Sequence, residues 1–228
     1  MAPKYRTRED GTVYPLEGGG GGGKGKATVV AGGVALAVWA TGGGTGGVTL
    51  GGSGTTTVSM STADTAVVRT IGKNLSKARR DVRRGNRERA WKRLGLRRGR
   101  RVTRSAVECV TSTYGQVREF FVRTPCRELR RFQFPLGYDS GTISVLISRV
   151  RMRSSAAARD FRSLIDEHGT GDIRPVLSTV RFTGHHYDSA PRRDTVFVAE
   201  TESRTGNVPE PVLDTTAEAA AALARSAG

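Results

Sequence analysis

Beyond residue 105 the apolar positions switch repeatedly between a helical and an extended period. Val107, Val110, Tyr114, Val117 and Phe121 are spaced by three and four residues in turn, which predicts an amphipathic helix ending before Pro125. Residues 131–136 and 142–152 are rich in β-branched and aromatic side chains and flank a turn holding Gly137, Asp139 and Gly141, so they predict a strand pair. A second helix is expected from Ser155, with Ala158, Phe161, Leu164 and Ile165 inward and Gly169 as its stop. Residues 179–183 and 195–200 read as two further strands, separated by a loop that contains Pro191. A last helix is expected to open at Thr215 with Glu218 completing a capping box. The order αββαββα over residues 105–228 predicts an α+β domain, a single antiparallel sheet with packed helices.

Upstream, residues 64–104 carry a narrower pattern. Ile71, Leu75, Ala78 and Val82 recur at helical spacing and form one thin apolar stripe. Gly85 and Asn86 then resemble a stop followed by a new N-cap, and Ala90, Trp91 and Leu94 imply a second short helix ended by Gly95. The remaining surface is cationic. Between residues 69 and 104 sixteen Lys and Arg face only Asp81 and Glu88, a net +14 out of the chain's +16. This predicts a basic helical stalk, with Lys73, Lys77, Arg79, Arg80, Arg83, Arg84, Arg87, Lys92, Arg93, Arg97 and Arg98 as candidate contacts to an anionic surface. A solvated connector that repels itself and a surface adhesive to lipid head groups, wall polymer or nucleic acid both fit that charge. Trp91 is the lone aromatic of the stretch, so nucleic acid would be held by its backbone without a reading motif.

Towards the N-terminus the periodicity disappears. Residues 1–26 are polar and end near six consecutive glycines, which predicts a disordered tail. Residues 27–63 hold no charged side chain. Within them the apolar run 27–40 is short of the roughly 20 residues a bilayer helix needs, and extension through the glycines to Leu50 supplies the length. Its valines, Leu36 and Trp39 contribute about −2 to −3 kcal/mol towards insertion. The expectation is one transmembrane helix at 27–50, followed by a Gly/Thr/Ser spacer at 51–63. A secretory signal cleaved after Ala40 fits the same residues. Lys24 and Lys26 precede the run and Arg69 is the first cation after it, which keeps the N-terminus cytoplasmic and the rest of the chain outside. Gly18 to Lys24 matches a phosphate-loop spacing, but Gly25 stands where the loop needs Ser or Thr.

Chemistry adds little beyond this layout. Arginine far outnumbers lysine and Gly and Ala are abundant, the usage of a high-GC bacterium. Cys109 and Cys126 can pair in an exported domain. In one unbroken helix, however, 17 residues hold them about 25 Å apart, so a bridge requires the helix to stop near Gly115. Buried free thiols are the other reading. His185, His186 and Asp188 lack a ligand spacing for a metal, and a Cys126–His186 nucleophile pair has no supporting signature. No catalytic set, metal or cofactor is implied. The expected function is a non-enzymatic, single-pass envelope protein whose extracytoplasmic domain binds or scaffolds, in contact with a membrane, an anionic lipid or wall polymer, and a protein partner. The alternative is a membrane-associated nucleic-acid-binding accessory protein, for instance in DNA transfer, that uses residues 69–104.

Overall fold

The computed structural model describes residues 4–7, 13–16, 47–48 and 58–227. The chain divides into two units, 1–59 and 60–228. In the first, β1 (Lys4–Thr7) pairs antiparallel with β2 (Val13–Leu16), within the segment expected to be an unstructured tail. A second short pair joins β3 (Gly47–Val48) to β4 (Val58–Ser59). Most of the expected span at 27–50 lies outside the described residues. Among the described residues no helix is long and apolar enough to cross a membrane.

The second unit is α+β, built on one antiparallel sheet. Its spine is a hairpin of β7 (Glu128–Tyr138) and β8 (Gly141–Arg151), in register from Glu128 opposite Arg151 to Tyr138 opposite Gly141. On one side β10 (Thr195–Thr205) pairs with β8, and β9 (Tyr187–Arg192) forms the edge. On the other side β5 (Arg97–Arg98) and β6 (Val102–Ala106) both pair with β7. β7 is longer than the sequence implies, because cross-strand pairing carries Gly137 and Tyr138 into the ladder, whereas β8 lies within one residue of its expected bounds.

The expected stalk is part of this unit. α1 (Thr62–Arg83) starts nine residues before its apolar stripe, where Ser61 and Asp64 form a reciprocal capping box. Asp64 is buried, and burial alone would raise its pKa. Hydrogen bonds from Ser61 and from Tyr138 Oη at 2.9 Å outweigh that and hold the carboxyl below its usual range. Gly85, at φ +84°, turns the chain into α2 (Arg87–Arg93). Val67, Ile71, Ala78 and Val82 of α1 are buried, and α1 packs on α5 (Glu210–Ala227). α5 in turn crosses β8, β10 and β9. Ala217, Ala219, Ala220 and Ala221 are fully buried, so α5 is apolar nearly all round, the pattern of a helix covered on two sides. It begins at Glu210, with Pro211 in its first turn, and the expected Thr215 start falls inside it.

The opposite sheet face is covered by α3 (Gly115–Arg123) and α4 (Ser155–Ile165). Phe121, Leu129, Val150, Phe161, Ile173 and Val196 form its core. The helix expected over 107–121 is broken. Residues 102–106 join the sheet, Val110–Ser112 make a single 3-10 turn, and α3 begins only at Gly115. Gly115 has φ +62°, and a Cβ there would lie 2.8 Å from Gly171 Cα. Tyr114 N–H and Val117 N–H donate to Asp172 O and Thr170 O, which sew the helix start to the 170–173 segment. The break brings Cys109 and Cys126 to a Cα separation of 6.1 Å, and they are joined as a disulfide. The strand expected at 179–183 is a loop, because Thr183 N–H and Oγ1–H bind the Glu202 carboxylate while 187–192 takes the sheet edge.

The seam between β9 and α5 concentrates ionisable groups. His186 Nδ1 lies 2.8 Å from Asp214 Oδ1. Burial disfavours its charged form, but the hydrogen bond and charge of Asp214 prevail and raise its pKa. Burial, then the Glu218 charge, pushes Asp188 up to about 7, against small opposing effects that include Arg162. Burial and then Asp214 raise Glu218.

Two outcomes follow from this packing. The disulfide closes a 17-residue loop, so replacing both cysteines with serine should cost about 3 kcal/mol in urea denaturation; an unchanged midpoint would contradict this. Asp188, His186 and Glu218 all bind protons more tightly folded than unfolded. The stability they contribute is therefore present at low pH and lost as pH rises through their raised pKa values, which for Asp188 is about 7. The melting temperature should rise between about pH 8 and about pH 6, and Asp188→Asn should flatten the profile.

Candidate functional site

An arginine-rimmed groove lies on the α5 face of the sheet, beyond the last turns of α1 and α5. It follows from strand alternation in β7, whose run of Arg130, Phe132 and Phe134 points to one face while Arg131 and Gln133 point to the other. Cross-strand register aligns Ser105, Arg130, Arg149 and Phe197 as one row and Thr103, Phe132 and Ile147 as the next. These rows form a floor that α5 leaves open, because the helix ends at Ala227 with Leu223 and Ala224 against it. Trp91 of α2 meets Phe134 edge to face at 5.8 Å and closes the far end. The groove volume is about 470 Å³, within the range of ligand-binding clefts.

Five arginines from separate places in the chain line it: Arg87 at the start of α2, Arg98 on β5, Arg101 just before β6, Arg130 on β7 and Arg149 on β8. Arg101 lies 5.1 Å from the centre of the Phe132 ring and Arg98 5.9 Å from that of Phe134, both in cation–π range. Countercharge is sparse. Glu128 serves both Arg130 at 2.5 Å and Arg149 at 3.7 Å. Among the described residues Arg87, Arg98 and Arg101 form no ion pair, and Arg149 Nε is buried without an acceptor. Burial, then the Arg101 charge, lowers the pKa of Arg98, a sign of crowding among cations. A second, shallower depression lined by Arg87, Arg89, Arg98 and Arg101, with Glu88 as its one acid, adjoins the groove and extends the basic surface to the α1–α2 turn.

The structure sorts the candidates of the basic stretch. Arg87 and Arg98 reach the groove. Arg93 is committed to buried Asp81 at 2.6 Å, where hydrogen bonding and charge hold the carboxyl below its usual range. Arg79 donates to Ser226 Oγ, and Arg97 sits 3.9 Å from Asp139. Lys73, Lys77, Arg80, Arg83, Arg84 and Lys92 are exposed on α1 and α2 and do not line the groove. Arg101, Arg130, Arg149 and Phe132 were not among the candidates. The alternation Arg130-Arg131-Phe132-Gln133-Phe134 was the available signal, since in a strand it must place cation and aromatic on one face.

The other candidates separate. Cys126 is bonded to Cys109 and has no thiol to act as a nucleophile. His186 contacts Asp214, whereas His185 stacks on His168 with ring centres 5.1 Å apart. Among the described residues no three His, Cys, Asp or Glu side chains are gathered as a metal site. Asp166 accepts hydrogen bonds from Tyr187 Oη and Ser189 Oγ and pairs with Arg162. Comparison with known proteins gives no precedent for this arrangement: no family model, no curated protein and no solved structure matches the chain.

Proposed function

We propose that the chain is a non-enzymatic binding protein whose folded unit captures a phosphate-bearing polyanion in the arginine groove. The observation that carries this reading is the convergence of Arg87, Arg98, Arg101, Arg130 and Arg149 from separate elements onto one groove, where Glu128 pairs with Arg130 and Arg149 and Glu88 lies near Arg98. Guanidinium groups match phosphate geometry through paired N–H donors, and five of them along a channel suit a polymer with repeated charge. The chemistry required is electrostatic capture, with no bond made or broken.

We place this unit outside the membrane on a chain anchored through residues 27–50, as an envelope protein. The Cys109–Cys126 disulfide supports that location, since such bonds persist in oxidising compartments. The flanking Lys24 and Lys26 support the same orientation. A cytoplasmic nucleic-acid accessory protein shares the groove but would expose this disulfide to a reducing medium.

Two measurements test the reading. The full chain should bind an anionic polymer with affinity falling about a hundredfold between about 50 and 200 mM salt, as expected if four to five phosphates are neutralised. The double change Arg98→Glu and Arg101→Glu should weaken binding at least about tenfold and flatten that salt dependence. Affinity indifferent to salt, or to both reversals, would remove the groove from the function. Protease added to intact spheroplasts should digest residues 60–228, and protection would contradict the envelope placement.

A further inference from the structure

Polymers that carry phosphate alone leave half of this groove unused. Between the arginines the lining is apolar: Phe132 and Ala224 are half-buried and lie against Ile147, Phe197 and Leu223, which the fold has already covered. Inorganic polyphosphate or a polyol phosphate of the cell wall would meet the Phe132 ring without covering it by apolar surface. An anionic lipid has apolar chains, but its charge sits at one end. Here cations stand on both sides, with Arg98 and Arg101 along the β5–β6 edge and Arg130 and Arg149 paired across β7 and β8. A ligand that alternates charge with flat apolar groups satisfies both features.

Resting on the polyanion reading above, we infer that the groove takes single-stranded nucleic acid, with a base stacked on Phe132 and flanking phosphates held by the arginines of the two walls. Phe132 is the half-buried aromatic of the floor; Trp91, Phe134 and Phe197 are almost wholly covered. Arg101, exposed and over the Phe132 ring, swings aside to admit the base and then supplies a second planar surface against its other face. A duplex keeps its bases inside the stack and can meet only the rim. Stacking on aromatic side chains tolerates any base, so the site is expected to bind strands with little sequence preference.

The test uses the full chain and a fluorescent oligothymidylate of about 12 nucleotides, within the site sizes of such grooves. Competitors are a duplex of equal phosphate number, inorganic polyphosphate and phosphatidylglycerol vesicles. The oligothymidylate should bind at least about tenfold more tightly than duplex or polyphosphate. Phe132→Ala should cost about tenfold or more for the single strand and no more than about twofold for polyphosphate, whose arginine contacts it disturbs only through Arg101. Phe132→Leu keeps apolar volume without the ring and should show the same selective loss, which separates stacking from a folding defect. If duplex or polyphosphate binds as tightly as the single strand, or if both Phe132 variants bind it normally, the inference falls while polyanion capture stands. If vesicles displace the strand at equal phosphate and survive both variants, the ligand is a lipid surface and the inference is overturned. If no polyanion binds, both readings fail.

Discussion

The alanine-rich helix at the C-terminus is the constraint on which the rest of the folded unit depends. With Ala217, Ala219, Ala220 and Ala221 buried, α5 sits between the sheet and α1. Small side chains let the two helices and the sheet approach closely, and they cost little side-chain entropy to bury. The thin apolar stripe of α1 would be a poor basis for an independent helix, since one narrow face cannot pay for ordering twenty-two residues. Against α5 it becomes one side of a packed seam. Capping by Ser61 and Asp64, and the Tyr138 hydrogen bond to Asp64, then tie the start of that helix to the end of the β7 strand.

The same arrangement explains why so much positive charge is tolerated in one stretch. Its apolar positions face α5 and the sheet, and its cations fall into three environments. Arg93 is neutralised by Asp81, the exposed face of α1 is solvated, and Arg87, Arg98 and Arg101 gather at the groove with no pairing acid among the described residues. Solvated charges repel one another weakly at physiological salt. Those over an apolar floor are screened less, so the groove is where like-charge repulsion is stored and where an anion gains most.

The order of helices and strands after residue 105 was legible in the chain because long periodic segments state their own type: both hairpin strands, α4, β10 and the final helix follow from alternation or helical spacing. Local spacing misled where a distant segment intervened. The Val107 to Phe121 pattern is continuous on paper, yet the chain at Gly115 is captured by residues 170–173, and Val107 is left 80% exposed. The site was harder still. Arg87 and Arg98 were visible as members of a charged run, but Arg130, Arg149 and Phe132 acquire meaning only from register, a relation between strands that no single segment contains. The basic stretch looked separate because its composition differs, and composition reports solvent exposure better than it reports connectivity.

The groove is assembled from pieces widely separated along the chain: the start of α2, the β5–β6 edge, the β7–β8 hairpin and the last turn of α5. No one of these presents the five arginines together over the apolar floor. In the unfolded chain the cations are dispersed, and an anion meets only scattered charges. Occupancy of the groove and completion of the fold are therefore linked equilibria, and any ligand that prefers the assembled groove acts as a clamp on α5 and the sheet at once. Leu223 and Ala224 near the end of α5 belong to the wall of the groove, so a ligand that favours the assembled groove also favours the helical form of the last turn of α5.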